Sequence, residues 1–238
     1  MDIIQQATRI PKLKYIYDID VSRTSLEQFN YILNNPYEEE QMQFRLFAIA
    51  LEDIKTYCAN TTTPCMLELG SSGIDGSYYS ILFEKYFNYV CNIINTEPRK
   101  YLLDWVRVAW KNKHLDNAKL IHCYTGVVND VCGVHEGQVF EKDSTPRYSV
   151  SELMKMCDIK KLHMLHCDIQ GAEIQALEEI INDGAFNNVL YYFISLHNTY
   201  AECSSLLKET NIKIIYAHPN QGGHGDGLLA FKNLNFIV

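Results

Sequence analysis

From Thr63 onward, the chain alternates short apolar runs of strand length with segments whose apolar residues recur at helical spacing. Parallel strands need a crossover connection that is usually a helix, so this alternation predicts a mostly parallel β-sheet wrapped by helices. Seven strands are predicted, at Cys65–Leu69, Val90–Asn95, Leu120–Tyr124, His163–Cys167, Val189–Ser195, Ile212–Tyr216 and Leu228–Phe231. Apolar stripes predict helices over Tyr79–Tyr86, Leu102–Ala109 and Ile174–Ile181.

The first 60 residues differ from the rest because they show helical periodicity without a convincing central strand. The periodic positions are Phe44, Phe47, Ala48, Leu51 and Ile54. We therefore expect two parts, a helical cap or substrate-side extension at residues 1–60 and a sheet domain at residues 61–238. Within the sheet domain, the irregular stretch 129–148 predicts a short hairpin.

Charge and hydropathy exclude several classes of partner. The net charge is -8 and no run of Lys and Arg forms a basic stripe, so nucleic acid is not expected as a partner. No apolar run is long enough to span a membrane, and the first residues do not resemble an export signal. The eight cysteines include no CxxC pair, and most lie in apolar runs, which predicts reduced thiols and a cytoplasmic location.

A glycine-rich seam follows the first predicted strand, in the segment MLELGSSGIDGSYYSILF. Its glycines, at positions 70, 73 and 76, allow a sharp turn and the close approach of a ligand. The spacing differs from the dinucleotide fingerprint G-x-G-x-x-G, and the Lys-Ser/Thr ending of a phosphate-binding loop is missing. A cofactor without a pyrophosphate therefore fits this seam better than NAD.

Two acidic residues narrow the choice of cofactor. Glu97 ends the second predicted strand, where a carboxylate accepts hydrogen bonds from ribose hydroxyls. Glu68 adds a carboxylate beside the loop, which favours an amino group or a sulfonium cation. Together they indicate S-adenosylmethionine. The alternative is that Glu97 is an acid at a helix N-terminus before Pro98 and that Glu68 is merely solvated.

The segment LHMLHCDIQGAEIQALEEI, residues 162–180, closely resembles the DxEGAE signature of the FkbM family of S-adenosylmethionine-dependent methyltransferases. The preceding SVSELMKMCDIKKLHML is similar to that family's helix before the same strand, and NTEP is similar to its acidic cofactor motif. The resemblance covers residues 66–197. It departs from the family in a longer first loop, in Gln170 where an acid is usual, and in Ser195.

This resemblance implies a Rossmann-like class I methyltransferase fold whose last strand is antiparallel, and methyl transfer to oxygen, often on a sugar hydroxyl of a glycan, a glycolipid or a natural product. It implies Asp168, His197 and Glu173 as catalytic residues, with histidine taking the proton. Alternatively, Asp168 caps the helix that starts near Ala172, Glu173 serves the helix dipole, and His197 is structural.

The predicted cofactor-binding residues are Glu68, Gly70, Ser71, Ser72, Gly73, Asp75, Tyr78, Glu97, Gly126, Val127 and Asp168. A further hypothesis adds Mg²⁺ bound by Asp168 and His197 with Asp226 and His224, although no ligand spacing defines a metal site. Two other functions stay open: a catalytically inactive binding or scaffold protein on the same fold, and an enzyme that uses NAD or a nucleotide sugar.

Overall fold

The computed structural model describes residues 38–58, 62–70, 77–87, 90–111, 118–126, 131–135, 138–141, 144–219 and 227–237. The helices in these ranges are α1 (Glu38–Cys58), α2 (Ser77–Tyr86), α3 (Lys100–Lys111), α4 (Val150–Met156), α5 (Glu173–Asn182), a 3-10 helix (Ala185–Asn188) and α6 (Tyr200–Leu206). The strands are β1 (Cys65–Leu69), β2 (Asn92–Thr96), β3 (Ala118–Ile121), β4 (Val131–His135), β5 (Gln138–Glu141), β6 (Leu162–Cys167), β7 (Val189–Leu196), β8 (Ile212–His218) and β9 (Gly227–Asn233).

Seven of these strands form one sheet in the order β3-β2-β1-β6-β7-β9-β8. Strand β9 is antiparallel to both β7 and β8, and the pairs from β3 across to β7 are parallel. The predicted seven-stranded sheet with an antiparallel last strand is therefore confirmed. The strand order reverses between β1 and β6, which is where an open α/β sheet forms a ligand crevice.

The strand boundaries differ from the predicted ones chiefly at β2 and β3. Strand β2 begins at Asn92 because Val90 is exposed and precedes the sheet. Strand β3 ends at Ile121, and Tyr124 instead makes an isolated parallel bridge with Arg147. The predicted hairpin is confirmed as the antiparallel pair β4 and β5.

Helices cover both faces of the sheet, so its central strands are buried on both sides and consist mostly of apolar residues. Helices α1 and α2 pack on one face, and α4 and α5 pack on the other. In α1, the ring of Phe47 lies 4.9 Å from the ring of Tyr79 and 5.6 Å from that of Phe193. Helix α1 is therefore part of the packing of the sheet.

Polar contacts also join α1 to the sheet. Asp53 Oδ2 accepts hydrogen bonds from the hydroxyl of Tyr191 and from Lys232 Nζ, both at 2.6 Å. Residues 1–37 lie outside the described residues, so the substrate-side role of residues 1–60 stays a prediction. No helix in the described ranges has the length and apolar character of a membrane span.

Candidate functional site

Four of the predicted site residues lie at the carboxyl ends of neighbouring strands. Gly70 follows β1, Glu97 follows β2, Asp168 follows β6 and His197 follows β7. Backbone hydrogen bonds continue between these ends, from Gly70 N to Thr96 O at 3.1 Å and from Asp168 N to Leu69 O at 3.0 Å. The sheet therefore gathers these residues around the point where the strand order reverses.

Two glycines of the predicted cofactor site are required by the backbone conformation and by close packing. Gly70 has a φ of 76°, and a Cβ atom there would overlap the carbonyl oxygen of Asp168. Gly126 has a φ of 70°, and a Cβ atom there would overlap the carbonyl oxygen of Ala172. Packing between chain segments requires both glycines, whether or not a ligand approaches them. The positions Ser71, Ser72, Gly73, Asp75 and Val127 and the side chain of Tyr78 lie outside the described part.

Glu97 is a buried carboxyl group with one oxygen in use and the other open. Its Oε1 accepts hydrogen bonds from Arg99 N and Arg99 Nε, both at 2.9 Å. Its Oε2 is buried and has no hydrogen-bond partner among the described residues. Burial raises the pKa of Glu97, while the hydrogen bonds and the charge of Arg99 oppose that rise. The Oε1 contact with Arg99 N resembles the predicted N-terminal role, but Oε2 is left for an additional donor.

Glu68 is fully buried and faces the helix layer of α1 and α2. Its Oε2 accepts hydrogen bonds from Ser80 Oγ and, at 3.0 Å, from Asn95 Nδ2. Its Oε1 lies 3.5 Å from His166 Nδ1. Burial raises the pKa of Glu68 to about 8, so the group carries a proton at neutral pH.

These contacts correct part of the interpretation of Glu68. The expectation that it is merely solvated is wrong, because the residue is 0% exposed. A protonated carboxyl group also lacks the negative charge that a sulfonium or amino group needs. Its role as a partner for a cation stays a prediction that this burial does not favour. What the contacts show is a tie between β1, β2 and α2.

Asp168, His197 and Glu173 form a single cluster. His197 Nδ1 lies 2.6 Å from Glu173 Oε1, and His197 Nε2 lies 3.4 Å from Asp168 Oδ1. Helix α5 begins at Glu173, and its N-cap residue Ala172 has no side-chain capping bond. The alternative in which Asp168 caps this helix stays a prediction.

Glu173 is buried, and its carboxylate accepts hydrogen bonds from three groups. Its Oε1 accepts from Gly171 N at 3.0 Å as well as from His197, and its Oε2 accepts from Thr199 Oγ1 at 3.3 Å. A carboxylate accepts all of these bonds, so His197 donates its Nδ1 hydrogen to Glu173, and in the neutral imidazole Nε2 is then the acceptor. The cluster can therefore orient an imidazole and receive a proton.

Sequence reasoning missed three contacts of this site. Gln170 Nε2 lies 3.0 Å from His197 Nε2, although the sequence marked Gln170 only as a departure from a family pattern. Thr199 and Arg99 were not predicted at all. Each follows a predicted site residue by two positions, and that proximity is the signal that would have found them.

A metal site is not evident in the described ranges, where no group of three or more His, Cys, Asp or Glu residues is placed to hold an ion. His224 and Asp226, named in the Mg²⁺ hypothesis, lie outside those ranges. The seven cysteines whose side chains are described are free thiols.

No protein-family model matches the chain, and no curated protein matches it. Solved structures do match. Human methyltransferase 10 domain containing protein is 11% identical, with 80% of this chain and 81% of that chain covered and a TM-score of 0.50. The METTL16 MTase domain is 12% identical, with coverages of 79% and 66% and a TM-score of 0.52. The N-terminal domain of human METTL16 in complex with SAH is 11% identical, with coverages of 81% and 70% and a TM-score of 0.50.

Identities this low show a shared fold and nothing finer. Together with the strand order, the matches to these solved structures show that the chain has the Rossmann-like methyltransferase fold.

Proposed function

We propose that the chain is an S-adenosylmethionine-dependent O-methyltransferase of the FkbM type that methylates a hydroxyl group of a sugar, a glycan or a related metabolite. The observation that carries the proposal is the cluster of Asp168, His197 and Glu173. It lies at the strand ends beside the reversal point of a methyltransferase-fold sheet. A histidine held by carboxylates at this place is suited to taking a proton from a hydroxyl group.

The residues present fit the cofactor. The buried Oε2 of Glu97 has no partner among the described residues, and it lies at the end of β2, where a ribose hydroxyl is the expected donor. One solved structure with this fold contains SAH, the product form of the same cofactor. When bound, S-adenosylmethionine supplies an electrophilic methyl group.

The protein's own contribution is to position the acceptor and remove its proton. Glu173 holds the Nδ1 hydrogen of His197, so Nε2 of the neutral imidazole is the proton acceptor. The acceptor oxygen gains a methyl group and loses its proton, which passes to Nε2. Asp168 Oδ1, 3.4 Å from Nε2, then stabilises the charged imidazolium.

The remaining parts of the proposal concern the surroundings of the site. The predicted substrate-side role of residues 1–60 is part of the proposal. The net charge of -8 favours a small-molecule or glycan acceptor over nucleic acid. The free thiols agree with a reducing, cytoplasmic location.

Calorimetric titration with S-adenosylmethionine, followed by a methyl-transfer assay on a panel of sugars and glycosides, tests this function. H197Q is expected to bind the cofactor normally and to lose at least about 100-fold in turnover. H163Q is the matched control, because His163 lies at the opposite end of β6 and its bond from Cys65 N can be kept by an amide oxygen. Binding without turnover on any acceptor would favour the inactive scaffold. Absence of cofactor binding would refute the proposal.

A further inference from the structure

Gln170 contacts Nε2 of His197, the atom that accepts the proton in the proposed reaction. The amide nitrogen of Gln170 lies 3.0 Å from His197 Nε2, closer than Asp168 Oδ1 at 3.4 Å. With the hydrogen of the imidazole on Nδ1, Nε2 has a lone pair, and the amide of Gln170 donates a hydrogen bond to it. Without a bound acceptor, Nε2 of His197 therefore already receives a hydrogen bond from the protein itself.

The backbone holds Gln170 in this place at some cost. Gln170 has a φ of 54°, in the left-handed region that side chains other than glycine rarely adopt. The next residue, Gly171, has a φ of 93°, and its N–H donates to the same Oε1 atom of Glu173 that receives His197 Nδ1. One carboxylate oxygen thus fixes both the imidazole and the turn that carries Gln170. Strain of this kind persists where the surrounding structure holds it in place.

The two side chains around Nε2 favour different protonation states of His197. A donor from Gln170 stabilises the neutral imidazole, whereas the carboxylate of Asp168 stabilises the protonated one. Other titratable groups near His197 and Asp168 on the described elements are Glu173 on α5, Glu68 on β1 and the thiols of Cys167 and Cys203. Burial raises the pKa of Cys167 well above its ordinary value and that of Cys203 to about 11, so both thiols stay neutral.

We infer that Gln170 is a positioning residue that keeps His197 neutral and able to accept a proton until an acceptor hydroxyl takes the place of the Gln170 amide at Nε2. This inference rests on the proposed function. The incoming hydroxyl donates to Nε2 as the amide did, so Nε2 has one hydrogen-bond donor before and after the exchange. Only a group that donates a hydrogen bond replaces the amide without loss, which favours hydroxyl acceptors.

Histidine side-chain NMR on the protein without cofactor or acceptor tests the inference separately from activity. The His197 signals are assigned by their loss in H197Q. The wild-type protein is expected to show the hydrogen on Nδ1. In Q170E a second carboxylate faces Nε2, so the midpoint of His197 protonation rises by about one to three pH units. In Q170M, which keeps the side-chain length without the donor, it rises by about half a unit to one unit.

Q175E is the matched control, because it adds the same charge on α5 away from this contact, and it is expected to shift the midpoint less than Q170E does. A hydrogen on Nε2 in the wild-type protein, or equal midpoints in wild type, Q170E and Q170M, would overturn the inference. Where Q170E does not fold, as judged by thermal unfolding, the Q170M titration decides alone.

The activity arm uses the acceptor found in the methyl-transfer assay. The acidic limb of the pH–rate profile is expected to move to higher pH in Q170E, in parallel with the NMR midpoint. In Q170M the KM for the acceptor is expected to fall, because no amide has to be displaced. An unchanged KM and an unmoved limb in both variants contradict the role of Gln170. If the NMR shifts appear but no variant transfers methyl groups, the failure lies with the proposed function and with the exchange that depends on it.

Discussion

Replacing Glu97 by glutamine tests the cofactor site at a single atom. The amide oxygen of glutamine keeps the shape of the side chain and still accepts from Arg99 N. The amide nitrogen takes the place of Oε2, the oxygen without a partner in the described structure. It donates hydrogen bonds and accepts none, so a ribose hydroxyl loses its acceptor there.

The structure sets the expected size of the effect. Only Oε2 is open, so the variant loses one charge-assisted hydrogen bond, worth about 1.5 to 3 kcal/mol. That range corresponds to an increase in the Kd for S-adenosylmethionine of about 10- to 150-fold. Because burial already raises the pKa of Glu97, removing its charge is expected to change the stability of the ligand-free protein by less than about 1 kcal/mol.

Isothermal titration calorimetry with S-adenosylmethionine measures the Kd, and thermal unfolding checks the fold. D104N is the control for charge, because Asp104 is an exposed acid on α3 that forms an ion pair with Arg107 on the same helix. It is expected to bind as the wild-type protein does. Wild-type affinity in E97Q would refute the assignment of Glu97 to the ribose. Equal weakening in D104N would show that net charge, and no specific contact, controls binding.

Three further predictions concern the glycine turn, the histidine cluster and the buried acid. G70A is expected to lose more than about 3 kcal/mol in urea unfolding, and G184A, which has the same φ of 76° and open space, about 1 to 2 kcal/mol; equal losses would contradict the packing argument. E173Q is expected to lower kcat at least about 10-fold with little change in cofactor Kd, and unaltered kcat would rule out a positioning role. The folded-state pKa of Glu68, about 8, lies above its ordinary value of 4.5, so the free energy of unfolding falls by about 1.4 kcal/mol per pH unit as the pH rises between those values. In pH-dependent denaturation, E68Q is expected to lack this slope. The same slope in E68Q would assign it to other groups.

The periodic pattern of apolar residues was sufficient to predict the sheet. Strands such as β6 and β7 are buried along their whole length, so their sequences are continuous apolar runs that local patterning identifies. Edges were less predictable. Strand β3 lies at the sheet edge and is only partly buried, and its predicted range was shifted by two or three residues.

The candidate site could be predicted only in part. Its residues lie at strand ends, which the apolar pattern locates, but its contacts join different strands, which the pattern does not show. The positions of Glu97, Asp168 and His197 follow from where each strand ends. The contact between Gln170 and His197 joins residues 27 positions apart and depends on a left-handed turn at a non-glycine residue, which propensity disfavours. Proximity to Asp168 in the sequence marks Gln170 as a neighbour of the site, but the sequence alone does not give its contact with His197.

Three buried glutamates show why residue type does not determine role in this fold. Glu68 has a serine, an amide and a neutral histidine around it, and its pKa rises to about 8, so it serves as an uncharged tie within the core. Glu173 receives donors on both oxygens and fixes an imidazole. Glu97 has a cation on one oxygen and none of the described donors on the other. Of the three, Glu97 alone pairs with a cation on one oxygen and keeps the other oxygen without a described donor, and that combination suits a ligand hydroxyl.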